Sequence, residues 1–376
     1  MKQSRIILFS FLLLLIVAGC KKDPQEIFNE QKSGVVLICN EFYYDVTLAD
    51  GEHFYFTGIA DDGSLQGLTS SLADIQRSPA ILNGTGFFID GTGRILTNRH
   101  VVAPEIDKNQ VRQNMNSIME GYAQYIQALQ DSMDQRYQAI QQYAQSRVYE
   151  DEYGESQLYM SQDEVDQLNT ELENLRQQYA QAENVKDRVR SNILGYNFSI
   201  QLHSQFGIAY DGSNVNSWDD FMKRPCALLK TSQDANSDLA LLQLKSKQTP
   251  PDKYIFYYTK FDPDKENVKI TQQLYMIGYN QGVSLAKTNN GINAQFTMGT
   301  ISQAPDGNRI VYSIPAMHGS SGSPAVDDDG NLGELRGGQR QRQLQLWHTY
   351  SPCHHLLEMI FAFVQIKYLP YMEDLA

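Results

Sequence analysis

Three side chains that together can break an acyl bond stand far apart in this 376-residue chain. His100 lies in Thr97-Asn98-Arg99-His100-Val101-Val102, Asp238 in Asn236-Ser237-Asp238-Leu239-Ala240-Leu241-Leu242, and Ser321 in Gly319-Ser320-Ser321-Gly322-Ser323-Pro324. A serine hydroxyl is a poor nucleophile at neutral pH. An imidazole, titrating near about 6.5, can take its proton during attack and return it to the leaving group. A buried carboxylate can hold that ring in one tautomer and stabilise the imidazolium. Each segment alone has an ordinary reading: a structural histidine, an aspartate capping a strand, a serine-rich turn.

The elements that must position these residues are β-strands interrupted by helix. From Gly34 the chain is rich in β-branched and aromatic residues, with an Asp50-Gly51 turn signal, and a second block ends in GTGFFIDGTGRILTNRHVV over 84–102. Strand-like runs resume after Tyr196: FSIQLHSQFGIAYDG, CALLK, DLALLQL, QLYMIGY, QFTMGTI and IVYSI. Short runs spaced by turns predict a β-barrel or sandwich. Between Pro104 and Pro225 there is no proline, and 105–190 is loaded with Gln, Glu, Asp and Ala. Val111, Met115, Ile118, Tyr122, Tyr125 and Leu129 form one apolar seam, and Val165, Leu168, Leu172, Leu175, Tyr179 and Ala182 another. This predicts an antiparallel helical hairpin, 105–148 and 162–191, with coiled-coil spacing and a capping box at Ser161-x-x-Glu164. Such a projection suits partner binding or self-association, and equally an insertion packing only on itself.

In the order His…Asp…Ser the three segments resemble the trypsin-like (chymotrypsin-fold) serine proteases. The bacterial periplasmic high-temperature-requirement branch is nearest, with strings GSGF…TNxHVV, xDLAxLxL and GxSGxP. Tyr275-Met276-Ile277-Gly278-Tyr279 and Phe296-Thr297-Met298-Gly299-Thr300-Ile301 are similar to two further family strands. The resemblance covers 80–103 and 196–333, and 34–79 more loosely. It implies an all-β core of two antiparallel β-barrels, His100 and Asp238 on the first and Ser321 on the second, with the helical hairpin inserted. It implies peptide-bond hydrolysis of protein or peptide substrates through an acyl-enzyme. The N–H groups of Gly319 and Ser321 would form the oxyanion hole, where losing one donor costs about 3 kcal/mol. No cofactor or metal is implied. His100 and Asp238 are 138 residues apart, longer than the resemblance leads one to expect, and the hairpin accounts for the excess. Because it leaves the chain just after His100, it is expected to project near the site and to gate or recruit substrate.

The amino terminus reads as an address. Lys2 and Arg5 precede an apolar run from Ile6 to Val17, and Val17-Ala18-Gly19-Cys20 resembles the bacterial lipobox. This predicts a signal peptide over 1–19, lipidation of Cys20, and a lipidated tether over 20–33 holding the protein to the membrane. A bacterial cell envelope location follows. Lys21, in place of an aspartate, points to the outer rather than the inner membrane. Net charge is −13, so a phosphate backbone would be repelled and nucleic acid is not an expected partner.

The organisation predicted is therefore 34–103 and 196–334 as the protease domain, 104–195 as the hairpin, and 335–376 as an atypical tail. The tail begins LRGGQRQRQLQL, arginine-bearing in an acidic chain. Read one base later, its codons can spell an Asn/Gly/Tyr-rich strand, the Trp347-His348 junction must give glycine, and the Met359–Ile360 junction becomes a stop. A frameshift near 332–337 or a divergent tail explains this. In either case His348, Cys353, His354 and His355 are not read as a metal site. Cys39 and Cys226 are expected as buried apolar fillers or, less simply, a bridge. The run Asp327-Asp328-Asp329-Gly330 reads as a solvated hairpin turn. The alternative to an enzyme is a catalytically impaired protease-fold scaffold that binds partners through the hairpin.

Overall fold

The β-branched and aromatic run after Gly34 forms one long strand, and its alternating side chains are buried on both faces. The structure is a computed structural model describing residues 22–195, 197–233, 237–257, 269–303 and 310–332. The chain divides into two compact units. Of the described residues, those within 22–42, 80–105 and 203–332 make the first, and those within 43–79 and 106–202 make the second.

The first unit contains a closed six-stranded barrel. Its strands are β1 (Val35–Thr47), β3 (Ala80–Phe88), β4 (Arg94–Thr97), β5 (Ile200–Tyr210), β6 (Pro225–Thr231) and β7 (Ala240–Leu244). They run in the order β1-β3-β4-β7-β6-β5, and β5 pairs back onto β1. Val36, Ile38, Phe88, Ile95, Ile208, Leu242 and Leu244 fill one buried cluster with Val101 and Val102. The alternate residues of β1, Val35, Leu37 and Cys39, join Phe87 in a second cluster with Tyr275, Ile277 and Tyr279. Period-2 alternation thus serves two cores, which is why β1 opens with the unbroken apolar run 35–39.

The second half of this unit is a four-stranded antiparallel sheet of β8 (Gln273–Gly278), β9 (Gln295–Gln303), β10 (Val311–Tyr312) and β11 (Ala325–Val326), in the order β10-β9-β8-β11. The architecture is trypsin-like, with the first barrel closed. The second is seen among the described residues as these four strands, and the atypical tail 335–376 lies outside them.

The expected tether over 20–33 needs correcting. Asp23 caps and Pro24 opens a helix, α1 (Pro24–Gln31), with the Asp23 side chain accepting from the Gln25 N–H. Ile27 is fully buried in the core beside β8, Phe28 packs on Phe296 at 5.3 Å between ring centroids, and Gln31 Nε2 donates to the Gly330 carbonyl at 2.6 Å. Residues 24–33 are therefore part of the fold. Cys20 and the predicted signal lie outside the described residues. Among the described residues no helix is long and apolar enough to cross a membrane.

The second unit is built on two long helices, α3 (Lys108–Ser146) and α4 (Gln162–Ser191), after the one-turn α2 (Arg99–Val102) of the first unit. α3 is about 58 Å long at 1.5 Å per residue. The Ser161 side chain accepts from the Glu164 N–H while the Glu164 carboxylate accepts from the Ser161 N–H. Between the helices, 148–150 and 156–158 pair as a two-stranded ribbon. The buried positions of α3 are Val111, Met115, Met119, Tyr122, Ile126, Gln130 and Ile140. They differ from the predicted seam, leaving Tyr125 exposed and Ile118 and Leu129 half-buried. Met119 and Ile126 take the inward positions instead, and Gln130 continues the stripe through a polar contact that an apolar pattern cannot reveal. Lys186 of α4 is buried, and its Nζ donates to Gln130 Oε1 at 2.7 Å, Gln127 Oε1 at 3.0 Å and Glu183 Oε2 at 2.9 Å.

Residues 43–79, assigned above with the barrel, belong to this unit. The far end of β1 pairs with β2 (His53–Phe56), from Tyr44↔Phe56 to Thr47↔His53. Arg188 of α4 clasps Asp50 and Glu52 at 2.8 and 3.2 Å. Asn192 Oδ1 accepts from the Asp50 N–H.

Candidate active site

All three candidate catalytic residues belong to the first unit. His100 sits in α2, a single turn whose neighbours Val101 and Val102 are buried in the barrel. The buried Asn40 of β1 donates from Nδ2 to the Val101 carbonyl at 2.9 Å, tying that turn to the wall. Thr97, at the end of β4, is buried beneath it.

Asp238 lies two residues before β7, which pairs with β4 from Ala240↔Thr97 onward. That register brings Asp238 against the His100 turn. Its Oδ2 accepts from His100 Nδ1 at 2.5 Å and its Oδ1 from the His100 backbone N–H at 3.0 Å. Its own carbonyl accepts from Asn98 Nδ2 at 2.6 Å and from the Arg99 N–H at 3.1 Å. Burial works to raise the Asp238 pKa, but the hydrogen bonds and charge of His100, with Arg99 nearby, outweigh it. The carboxyl is held below its ordinary value and is ionised at neutral pH. With Nδ1–H committed to the carboxylate, the Nε2 lone pair is the basic one.

Ser321 stands on the turn before β11, half-buried, between buried Ser320 and Gly322. Gly322 has φ +87, and a Cβ there would stand 2.1 Å from the Thr85 carbonyl and 3.2 Å from the Asn98 N. Gly319 has φ +89, and a Cβ there would stand 2.4 Å from the Tyr279 carbonyl. Both positions therefore admit glycine alone, by backbone conformation and by space. The Ser321 turn thus lies directly on the strand ends that carry the His100 turn. No hydrogen bond joins Ser321 Oγ to His100 among the described residues. Such contacts are often long in the unliganded state and tighten with substrate.

Neither the Gly319 nor the Ser321 N–H has an acceptor among the described residues. Their neighbours do: Ser320 N–H donates to the Met317 carbonyl at 3.0 Å, and the His318 carbonyl accepts from the Gln281 N–H. Since the carbonyl and N–H of a trans peptide point oppositely, fixing the His318 carbonyl aims the Gly319 N–H away from Gln281. Two unpaired donors flanking a hydroxyl are what a developing oxyanion needs.

Cys39 and Cys226 are free and buried. They face different cores, Cys39 with Tyr275 and Ile277, Cys226 with Ile208 and Leu242, so the bridge left open above is absent. Burial pushes each thiol up to about 12. The Asp327 carboxylate is occupied within its own turn, accepting from the N–H groups of Asp329 and Asn331 at 3.0 and 2.8 Å.

The residues that the sequence reading passes over at this site are Thr85 and Asn98. Thr85 shares its motif with Gly84 and Gly86, and its partners lie at Tyr279, Gly319 and Ser321. No local spacing could announce them.

A sequence model of the trypsin-like peptidase domain matches residues 207–332, a span that includes Asp238 and Ser321 and excludes His100. No curated protein shows significant sequence similarity to the chain. Among solved structures, that of Deg5 is similar over 82% of this chain and 80% of its own, at 12% identity and a TM-score of 0.31.

Proposed function

We propose that the protein is a serine endopeptidase acting through His100, Asp238 and Ser321. The observation that carries this reading is the doubly held His100, with its free Nε2, beside a serine turn that offers two unpaired N–H donors. Ser321 Oγ forms the bond to the scissile carbonyl carbon, its proton passes to His100 Nε2, and the carbonyl π electrons move to oxygen. The Gly319 and Ser321 N–H groups receive that charge. Collapse breaks the C–N bond, and the proton on Nε2 leaves with the amine. Water then repeats the sequence on the acyl-enzyme and regenerates Ser321. The described site needs no cofactor for this chemistry. Incubating the protein with an unfolded protein substrate tests the reading: peptides accumulate with the natural chain and not with Ser321→Ala. Equal cleavage by both would refute it.

Lipid attachment at Cys20 and residence at the bacterial envelope, on the outer membrane, complete the proposal. Their support is the residue pattern of the first 20 positions. Incorporation of labelled fatty acid that disappears in Cys20→Ala is the expected result; incorporation that persists removes the anchor.

A second reading, a scaffold whose hairpin engages another protein or another copy of itself, has one observation in its favour. The ribbon joining α3 and α4 exposes Val148, Tyr149, Tyr153, Leu158 and Tyr159, an apolar cluster of the kind that marks interaction surfaces. Arm and protease are compatible, and the arm would then recruit substrates or gate access. Removing 148–159 and comparing cleavage of a protein with cleavage of a small peptide ester separates these roles. Loss confined to the protein substrate supports recruitment, and unchanged activity on both removes it.

A further inference from the structure

The structure assigns to Thr85 the positioning of the nucleophile turn, an inference that rests on the serine-protease reading of Ser321. Thr85 lies at the middle of β3 and is fully buried, and every polar group it carries is committed. Its Oγ1 donates to the Gly319 carbonyl at 2.7 Å and accepts from the Tyr279 N–H at 3.0 Å. Its N–H donates to the Ser321 carbonyl at 2.8 Å, and its carbonyl accepts from Thr97 Oγ1 at 2.7 Å.

The geometry of those four bonds is specific to the turn. The Ser321 N–H belongs to the peptide between Ser320 and Ser321. The peptide before it is held through the Gly319 carbonyl, and the peptide after it through the Ser321 carbonyl, both by Thr85. One residue of the barrel therefore clamps the oxyanion donor on both sides. The Thr97 bond continues the line to the strand end that precedes Asn98 and His100, so the same residue sets the nucleophile turn in register with the base.

The side chain must be a hydroxyl that donates and accepts at once. Valine has the same shape and the same strand preference. It would leave the Gly319 carbonyl and the Tyr279 N–H buried without partners, while the bond from the Thr85 backbone to Ser321 could persist. The turn would then be tied on one side only.

The test compares Thr85→Val, Thr85→Ser and Thr249→Val with the natural chain. Thr249 is a matched control within the same unit. It is buried, its Oγ1 accepts from the Gly93 N–H and donates to the Asp90 carbonyl, and it touches nothing in the nucleophile turn. Two quantities are read: turnover of a peptide ester, and backbone amide exchange of the 317–323 segment. Thr85→Val is expected to lower kcat about 100-fold, the usual effect of losing an oxyanion donor, with KM changed little, and to speed exchange of that segment. Thr85→Ser is expected to restore kcat to within about threefold of the natural value, because the hydroxyl alone carries the role. Thr249→Val is expected to keep kcat and the exchange of 317–323. Should Thr85→Val fail to fold, Thr85→Cys, a weak donor, is expected to fall between serine and valine in both readings. Natural kcat and exchange in Thr85→Val, equal losses in Thr249→Val, or no recovery in Thr85→Ser would overturn the assignment. An inactive natural chain whose 317–323 exchange still responds to Thr85→Val would refute the protease reading and leave the clamp standing.

Discussion

Asp238 holds His100 at two points, its Oδ2 on the ring Nδ1 at 2.5 Å and its Oδ1 on the backbone N–H at 3.0 Å. The second bond matters as much as the first. A carboxylate that binds ring and main chain of one residue fixes the side chain's rotation as well as its tautomer, and leaves Nε2 free to play the base proposed for it. Asp238→Asn should keep this arrangement roughly in place while permitting the wrong tautomer, lowering kcat by about 10⁴. A steady-state assay checks it, and a loss below about tenfold would assign the base elsewhere.

The same carboxyl gives a pH dependence of stability. Its pKa in the fold is lowered, below the ordinary value of about 3.9. A group depressed in the fold contributes stability above its unfolded pKa, and that contribution is lost as pH falls through the lowered value. Urea unfolding of Asp238→Asn should therefore show a shallower acid limb below about pH 4 than the natural chain. Parallel acid limbs would contradict the assignment.

Gly322→Ala places a Cβ 2.1 Å from the Thr85 carbonyl on a backbone at φ +87. Strain of about 1–3 kcal/mol and displacement of the turn should together lower Tm and abolish turnover. A variant of natural Tm and activity would mean that the turn is not seated on β3 as described.

The helix α1 makes a prediction that a flexible tether would not. Ile27 is fully buried among core residues, so Ile27→Ala should destabilise the protein by about 2–5 kcal/mol in urea unfolding. A change under about 0.5 kcal/mol, the range of ordinary surface substitutions, would return residues 24–31 to the linker.

Cys39 and Cys226, with thiols pushed up to about 12 by burial, should resist alkylation at pH 8 in the native protein and react fully in denaturant. Peptide mass mapping after a brief iodoacetamide pulse reads both sites. Rapid native labelling of either would contradict its burial.

Much of the candidate site is legible in the sequence because the chemistry proposed for it lies in short local strings. His100, Asp238 and Ser321 each sit at an element end whose neighbours, Val101 and Val102, Leu239 and Ala240, and Gly319 and Gly322, serve packing or turn geometry that the string itself displays. The same reading missed α1, although Asp23-Pro24 is a helix-start signal, because eight residues show little periodicity. It left Gln130 out of the buried stripe of α3 because Gln130 is polar and its partner Lys186 lies 56 residues on. It could not see Thr85, whose partners at Tyr279 and Gly319 are 194 and 234 residues away. Tertiary proximity assigned those roles. The frameshift proposed for the tail stays a matter for the gene: codons unable to encode the Asn/Gly/Tyr reading would remove it.

If the proposed function holds, Ser321 is an activated nucleophile. A fluorophosphonate probe offered to the natural chain, Ser321→Ala and His100→Ala tests it most directly. One covalent adduct is expected on Ser321 in the natural chain, none in Ser321→Ala, and labelling slowed by about 10³-fold or more in His100→Ala, where the general base is gone. A folded natural chain that takes up no probe, or an adduct that persists in Ser321→Ala, would contradict it.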